Sequence, residues 1–173
     1  MQLRTSKINL RPLEPEDLEL LYLWENDPNL WHVGNSVVPF SQYILKQYLA
    51  DSHRDIYDIK QLRLVIETTN QQAIGAIDLF DFDPNHQRAG IGILIYADEH
   101  RRKGYANNAI QLMCDYCRDV LGMHQIYANI GACNTASIAL FEQCDFKFSG
   151  AKKDWLRRGK TWEDELIYWK KLL

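Results

Sequence analysis

The stretch that most constrains the fold is Arg101-Arg102-Lys103-Gly104-Tyr105-Ala106, which stands between a strand-like run ending near Tyr96 and a long amphipathic pattern. From Gly104 to Val120 the residues Ala106, Ala109, Ile110, Met113, Cys117 and Val120 fall on one helical face, and Gly122 supplies a stop. The junction has the makings of a phosphate grip. Glycine lets the backbone approach an anion closely, and a helix start offers unpaired N–H groups and the positive end of a dipole. A pyrophosphate-containing ligand is its natural occupant.

The rest of the chain alternates strands and helices around that junction. Ile8 to Leu13 reads as a strand, and Glu14-Pro15-Glu16-Asp17 opens a helix that runs to about Asn26, with Leu18, Leu21 and Tyr22 at helical spacing. A loop containing Trp31, His32 and Gly34 leads to a second helix from Phe40 to about Ala50, with Tyr43, Ile44, Gln47 and Tyr48 along one side. Leu62–Glu67 and Ala73–Phe82 predict an antiparallel pair joined by Thr69-Asn70-Gln71-Gln72, followed by a strand from Arg88 to Tyr96. Gly90 and Gly92 inside that strand mark a bulge or a close backbone approach. Gln125 to Ile130 is a further strand, Asn134 or Thr135 caps a helix carrying Ile138 and Phe141, and two final strands, Phe146–Trp155 and Trp162–Leu172, turn at Arg158-Gly159. No repeat or linker interrupts the 173 residues, so one α+β domain is expected.

Composition removes several function classes. A net charge of −3 argues against nucleic acid as the main partner, which would require a broad basic face. No apolar run approaches the roughly 18 residues of a membrane span, and the opening Met-Gln-Leu-Arg-Thr-Ser-Lys lacks a signal-peptide core, so a cytoplasmic protein with no membrane partner is expected. Cys114 and Cys117 form a C-x-x-C, but they lie mid-helix, and Cys133 and Cys144 make no second pair at zinc-ligand spacing. Buried, reduced and inert thiols are therefore expected. His32, His53, His86, His100 and His124 have no metal spacing either, so no metal site is expected.

Strand, Arg-x-x-Gly-x-Ala and helix, followed by strand and Asn134-x-x-x-Ile138-x-x-Phe141, resemble the GNAT N-acetyltransferases along nearly the whole chain. The opening from Ile8 to Asp17 and the tract from His86 to Ile93 are most similar to the spermidine acetyltransferase and ribosomal-protein N-terminal acetyltransferase branch. The resemblance implies a three-layer α+β fold, with a mixed, mostly antiparallel sheet of about seven strands flanked by about four helices. It implies acetyl-CoA as cosubstrate, with Leu94, Ile95 and Tyr96 offering backbone groups to the pantetheine arm. The amides of Arg101, Arg102, Lys103, Gly104, Tyr105 and Ala106 would hold the pyrophosphate, with Asn107 just behind and Asn134 on the cofactor side. Without that match, Arg101-Arg102-Lys103 would read as a solvated basic turn. A homo-oligomer is a further implication.

The sequence also departs from the family. Many relatives carry a tyrosine that protonates the leaving thiolate where this chain has Phe141, and Asp145 stands where glycine is common. Freeing a primary amine of pKa roughly 10.4 at pH 7 costs about 4 to 5 kcal/mol, whereas a thiol near 8.5 leaves only about 2 kcal/mol. The proton on the amine is thus the harder one to move, and direct attack on the thioester in a ternary complex survives the loss of the acid. Tyr127 and Cys144 are substitute donors. Asp78 and Asp81 are candidates to attract a cationic amine and drain its proton; ordinary surface charge is the alternative for both, and for Asp83. Trp24, Trp31 and Tyr48 can either line an acceptor pocket, where ring faces hold a cation, or pack in the core. The expected function is N-acetylation of a small primary amine, a polyamine ahead of others. An N-terminal acetyltransferase of protein substrates and a non-catalytic CoA-binding module are the alternatives.

Overall fold

Runs rich in β-branched and aromatic residues, closed by short polar turns, build a seven-stranded sheet in the computed structural model, which describes residues 3–30 and 38–173. In chain order the strands are β1 (Ile8–Pro12), β2 (Leu62–Thr68), β3 (Ala73–Asp83), β4 (Arg88–Ile95), β5 (Gln125–Gly131), β6 (Lys147–Arg158) and β7 (Thr161–Lys171). Their spatial order is β1-β2-β3-β4-β5-β7-β6, antiparallel throughout except for the parallel β4–β5 pair. The helices among the described residues are α1 (Leu18–Glu25), α2 (Gln42–Asp51), α3 (Ile56–Ile59), α4 (Tyr105–Asp119) and α5 (Thr135–Gln143).

Two apolar clusters hold the layers together. On one face α4 buries Ala109, Ile110, Met113 and Cys117 and α5 buries Phe141, all against Ile77, Leu79, Ile91 and Ile126 of the sheet. On the other, Leu21 and Trp24 of α1 and Leu45 of α2 pack on Val65 and Ala76. Burying each such side chain contributes about 1.5–3 kcal/mol, which is ample to clamp both helix layers onto the strands. The expected three-layer α+β fold is the observed one.

Several local expectations shift. The first helix begins as a 3-10 turn, Pro15–Asp17, before α1 proper, and its entry is pinned by Asp17, which accepts from Arg11 at 2.7 and 2.9 Å and from the Glu14 N–H at 2.9 Å. Burial works to raise the Asp17 pKa, but those donors outweigh it and hold the carboxyl below the ordinary range. Trp24 takes the inward place expected of Tyr22, which is exposed. Along α2 the inward set is Leu45, Tyr48 and Leu49, and Tyr43 and Ile44 face solvent, so the apolar stripe is centred a residue later than expected. The short α3, capped by the Asp55 side chain at the Tyr57 N–H, is one helix more than the four expected. The segment with Trp31, His32 and Gly34 lies outside the described residues.

Candidate active site

β4 and β5 pair over only Arg88–Gly90 and Gln125–Tyr127. β4 then continues to Ile95 and β5 to Gly131, so the strands part at the Gly90–Tyr127 pair and leave a wedge that opens toward the start of α4. Because β4 stays bonded to β3 as far as Ile95, every second β4 residue past Gly90 turns its N–H and C=O into the wedge. Such an edge can accept an extended amide-bearing chain as it would an added strand. Pantetheine is a chain of that kind.

At the open end, Gly104 is the N-cap of α4 with φ +82°, and Arg102 is also left-handed at φ +60°. The first intrahelical bond runs from the Asn108 N–H to the Gly104 carbonyl at 3.1 Å, so the amides of Tyr105, Ala106 and Asn107 have no acceptor within the helix. The Arg101 N–H is bonded to the Asp98 carbonyl at 3.0 Å, and its side chain turns toward β4. Its guanidinium pairs with Asp98 and reaches back to the carbonyls of Ile95 at 3.2 and 3.3 Å and Tyr96 at 3.4 Å, tying the turn to the end of β4. The Tyr96 N–H is bonded to the Ile74 carbonyl at 2.9 Å, and strand alternation turns Leu94 toward β3 as well, so of the three strand residues expected to meet the cofactor it is Ile95 that faces the wedge, with its carbonyl held by Arg101. Asn107 turns its side chain inward to the Cys144 sulfur at 3.3 Å, and the Asn134 side chain caps α5 at the Ser137 N–H. Sequence reasoning missed Lys7, whose Nζ meets the Lys103 carbonyl at 3.5 Å.

The two candidate carboxylates part company. Asp78 receives Arg63 through both oxygens, at 2.6 and 3.1 Å, and the same guanidinium holds Glu25 of α1 at 2.5 Å. Burial opposes the charge on Arg63, but Asp78 and Glu25 more than offset it and keep it fully protonated. Arg63 also lies 5.7 Å over the ring of Tyr48, so that ring face is covered, and Trp24 is buried 5.8 Å from Tyr96. Asp81 is exposed instead, and accepts from the Tyr127 hydroxyl at 3.1 Å. Burial, then the Asp81 carboxylate, push the Tyr127 phenol up to about 12, so it stays protonated and donates. Both groups line a cleft of about 620 Å³ with Asp83, Arg88, Gln125 and Trp169.

Glycine is required at the apex itself. A Cβ on Gly90 would sit 2.1 Å from the Phe80 ring, which lies over the strand there and meets Tyr127 edge-on at 5.9 Å. Phe141 is buried against Phe146 at 4.9 Å, a packing role with no proton to give. Cys144 is buried, and burial pushes its thiol up to about 11 despite nearby Lys170, while Cys114 is pushed up to about 12 and Cys117 further, also by burial. All three are inert interior thiols, as expected for the C-x-x-C pair. Asp145 has φ +65° just past the end of α5, which explains why glycine suits that position.

Acetyl-CoA fits what is present. A Cβ at Gly104 would meet only the Lys7 Nζ, at 3.6 Å, so the loop is open to a bulky anion, and the buried Nδ1 of His100 beside it has no hydrogen-bond partner among the described residues. The comparisons with known proteins agree with this geometry. A family model for the acetyltransferase (GNAT) domain matches residues 7–147. Spermidine N(1)-acetyltransferase of Vibrio cholerae serotype O1 is 30% identical over 145 residues, 84% of this chain and 82% of that protein. The enzyme of the same name from Escherichia coli K12 is 29% identical over 143 residues, 83% and 74% of the two chains. A crystal structure of the Vibrio cholerae spermidine N-acetyltransferase with CoA and spermine aligns at a TM-score of 0.85 and 26% identity, covering 97% of each chain. A dodecameric structure of the Vibrio cholerae enzyme aligns at 0.78 and 26%, covering 97% of this chain and 95% of the other.

Proposed function

The chain belongs to the GNAT acetyltransferase family and is an acetyl-CoA-dependent transferase, and from that premise we propose that its acceptor is a primary amine of the polyamine class. The observation that carries the proposal is the β4–β5 wedge, with the anion-receptive start of α4 at its wide end and an exposed carboxylate, Asp81, at its apex. The names of the spermidine-acetylating relatives support the same class.

In this mechanism the pantetheine arm lies along β4, with the wedge-facing Ile95 backbone beside it and the diphosphate at the amides from Arg102 to Ala106. The amine enters by the cleft at Asp81 and Tyr127. Its nitrogen lone pair forms a bond to the thioester carbon, the C–S bond breaks, and the sulfur leaves with the electron pair. An ammonium has no lone pair, so the amine gives one proton to Asp81, directly or through water, before it attacks, and the second leaves to solvent once the N–C bond has formed. Tyr127 fixes the Asp81 carboxylate through its hydroxyl. With Phe141 in place of an acid, the thiolate takes its proton from solvent, a step that its own pKa makes easy. Asp78 is held by Arg63 and serves the scaffold.

Asp81→Asn is expected to lower kcat/KM for spermidine about tenfold at pH 7, since water can replace part of a carboxylate's proton transfer. The loss should shrink as pH approaches the amine pKa of about 10.4, where the nucleophile arrives already neutral. A pH profile of both enzymes against spermidine, small amines and peptide N-termini checks this. An unchanged rate at pH 7 would remove Asp81 from the mechanism, and turnover of peptides alone would replace the polyamine with a protein N-terminus.

No helix among the described residues is long and apolar enough to cross a membrane. We also propose self-association through the β6–β7 edge, where Phe148, Trp155 and Trp162 are 56%, 59% and 59% exposed. A sheet edge with exposed aromatic rings on it and on the adjoining strand favours contact with another copy. Trp155→Lys with Trp162→Lys is expected to shift the protein to a smaller species by light scattering; an unaltered mass would place the contact elsewhere.

A further inference from the structure

We propose that Lys7, 96 positions from the loop in sequence, is a diphosphate-binding residue of the acetyl-CoA site, an inference that rests on the cofactor assignment above. Its Nζ lies 3.5 Å from the Lys103 carbonyl and 3.6 Å from where a Cβ would project at Gly104. The lysine is held there by the turn that precedes β1. Thr5 Oγ1 accepts from the N–H groups of Lys7 at 3.1 Å and Ile8 at 3.2 Å, the Thr5 N–H donates to the Ile8 carbonyl at 2.8 Å, and Arg4 bridges Asn9. Ile8, next in sequence, is fully buried in the cluster that contains Ala109 and Ile110 of α4, so β1 and the helix move as one body.

The electrostatics explain what this placement is for. A helix N-terminus carries the positive end of the dipole, and a cation held against it is unfavourable unless an anion joins them. Here Lys7 meets that end alongside Arg102 and Lys103, all exposed, while Arg101 is drawn away to Asp98 and the end of β4. A dianionic group seated on the amides of Tyr105 and Ala106 turns this like-charge crowd into a complementary site. Because the ammonium sits over Gly104, beside the helix start, the group it meets is the diphosphate and not the ribose 3′-phosphate.

Calorimetric titration of the full-length protein with CoA, 3′-dephospho-CoA and pantetheine tests this. One unit charge at about 4 Å in water is worth roughly a fivefold change in affinity, so Lys7→Gln is expected to weaken CoA about fivefold and Lys7→Glu about 25-fold. Dephospho-CoA should suffer equally, pantetheine should not respond, and Lys7→Arg should bind like the parent. Lys160→Glu, an exposed charge reversal at the β6–β7 turn, is the control and should change nothing. The inference is overturned if Lys7→Glu binds CoA as the parent does, if Lys160→Glu weakens CoA equally, or if dephospho-CoA escapes the loss. A parent protein that binds neither nucleotide would instead fail the cofactor assignment itself, and Lys7 with it.

Discussion

Replacing Gly104 with glutamate is expected to weaken CoA binding about thirtyfold through charge opposition, while backbone strain lowers the stability of the protein. The position has φ +82°, and an L-residue there costs about 1–2 kcal/mol of backbone strain. Steric exclusion is not the main effect, since a Cβ would touch only the Lys7 Nζ, at 3.6 Å. The new carboxylate would instead pair with that ammonium and lie where the diphosphate belongs, opposing two negative charges at about 1 kcal/mol each in water. Gly104→Ala separates the contributions. It carries the backbone strain without the charge, and its CoA affinity should fall less than tenfold while its melting temperature falls as far as that of the glutamate variant. Titration calorimetry and thermal melts of both variants give the comparison. Parent-like CoA affinity in Gly104→Glu would mean that the start of α4 holds no anion.

The second large effect is on stability, and it divides two aspartates that lie three residues apart. Asp78→Ala leaves Arg63 with Glu25 as its remaining ion-pair partner, in a setting where the Arg63 and Asp78 side chains are 21% and 23% exposed. Uncovering one member of such a pair should cost about 2–3 kcal/mol, at the lower end for buried pairs because some solvent remains. For a chain of this size that lowers the melting temperature by roughly 4–12 °C. Asp81→Ala, at an exposed carboxylate, should stay within about 0.5 kcal/mol of the parent. Substituting Arg63→Met together with Asp78→Leu should recover much of the loss by removing both charges at once. Equal melting temperatures for the two single variants would contradict the division of roles.

Which of these features were legible beforehand follows from the range over which each is encoded. The α4 stripe was readable as far as Cys117 because its inward residues recur with the helical period, whereas Val120, expected on the same face, is the C-cap and is exposed. The α2 stripe was misplaced because Tyr43 and Ile44 are apolar yet exposed, and propensity alone cannot tell which side of a short helix meets the sheet. The one-turn α3 carried only the signal of its capping Asp55, too small to separate it from a loop. Strand alternation would send Asp78 and Asp81 to opposite faces. The register shift between Phe80 and Asp83, with φ +50° at Asp81, swings Asp81 back to the Tyr127 side. Nothing in the linear pattern announced that bulge.

By itself, then, the sequence determined the order of strands and helices, the two apolar faces of the sheet, and the glycine-bearing junction that makes an anion site. These depend on periodicities and backbone preferences that act within a few residues. The tertiary structure alone decided that Arg101 braces the end of β4, that Arg63 occupies Asp78 while Tyr127 orients Asp81, and that Lys7 reaches Gly104. Charges choose partners by distance through space, and those distances do not exist until the sheet has brought remote segments side by side.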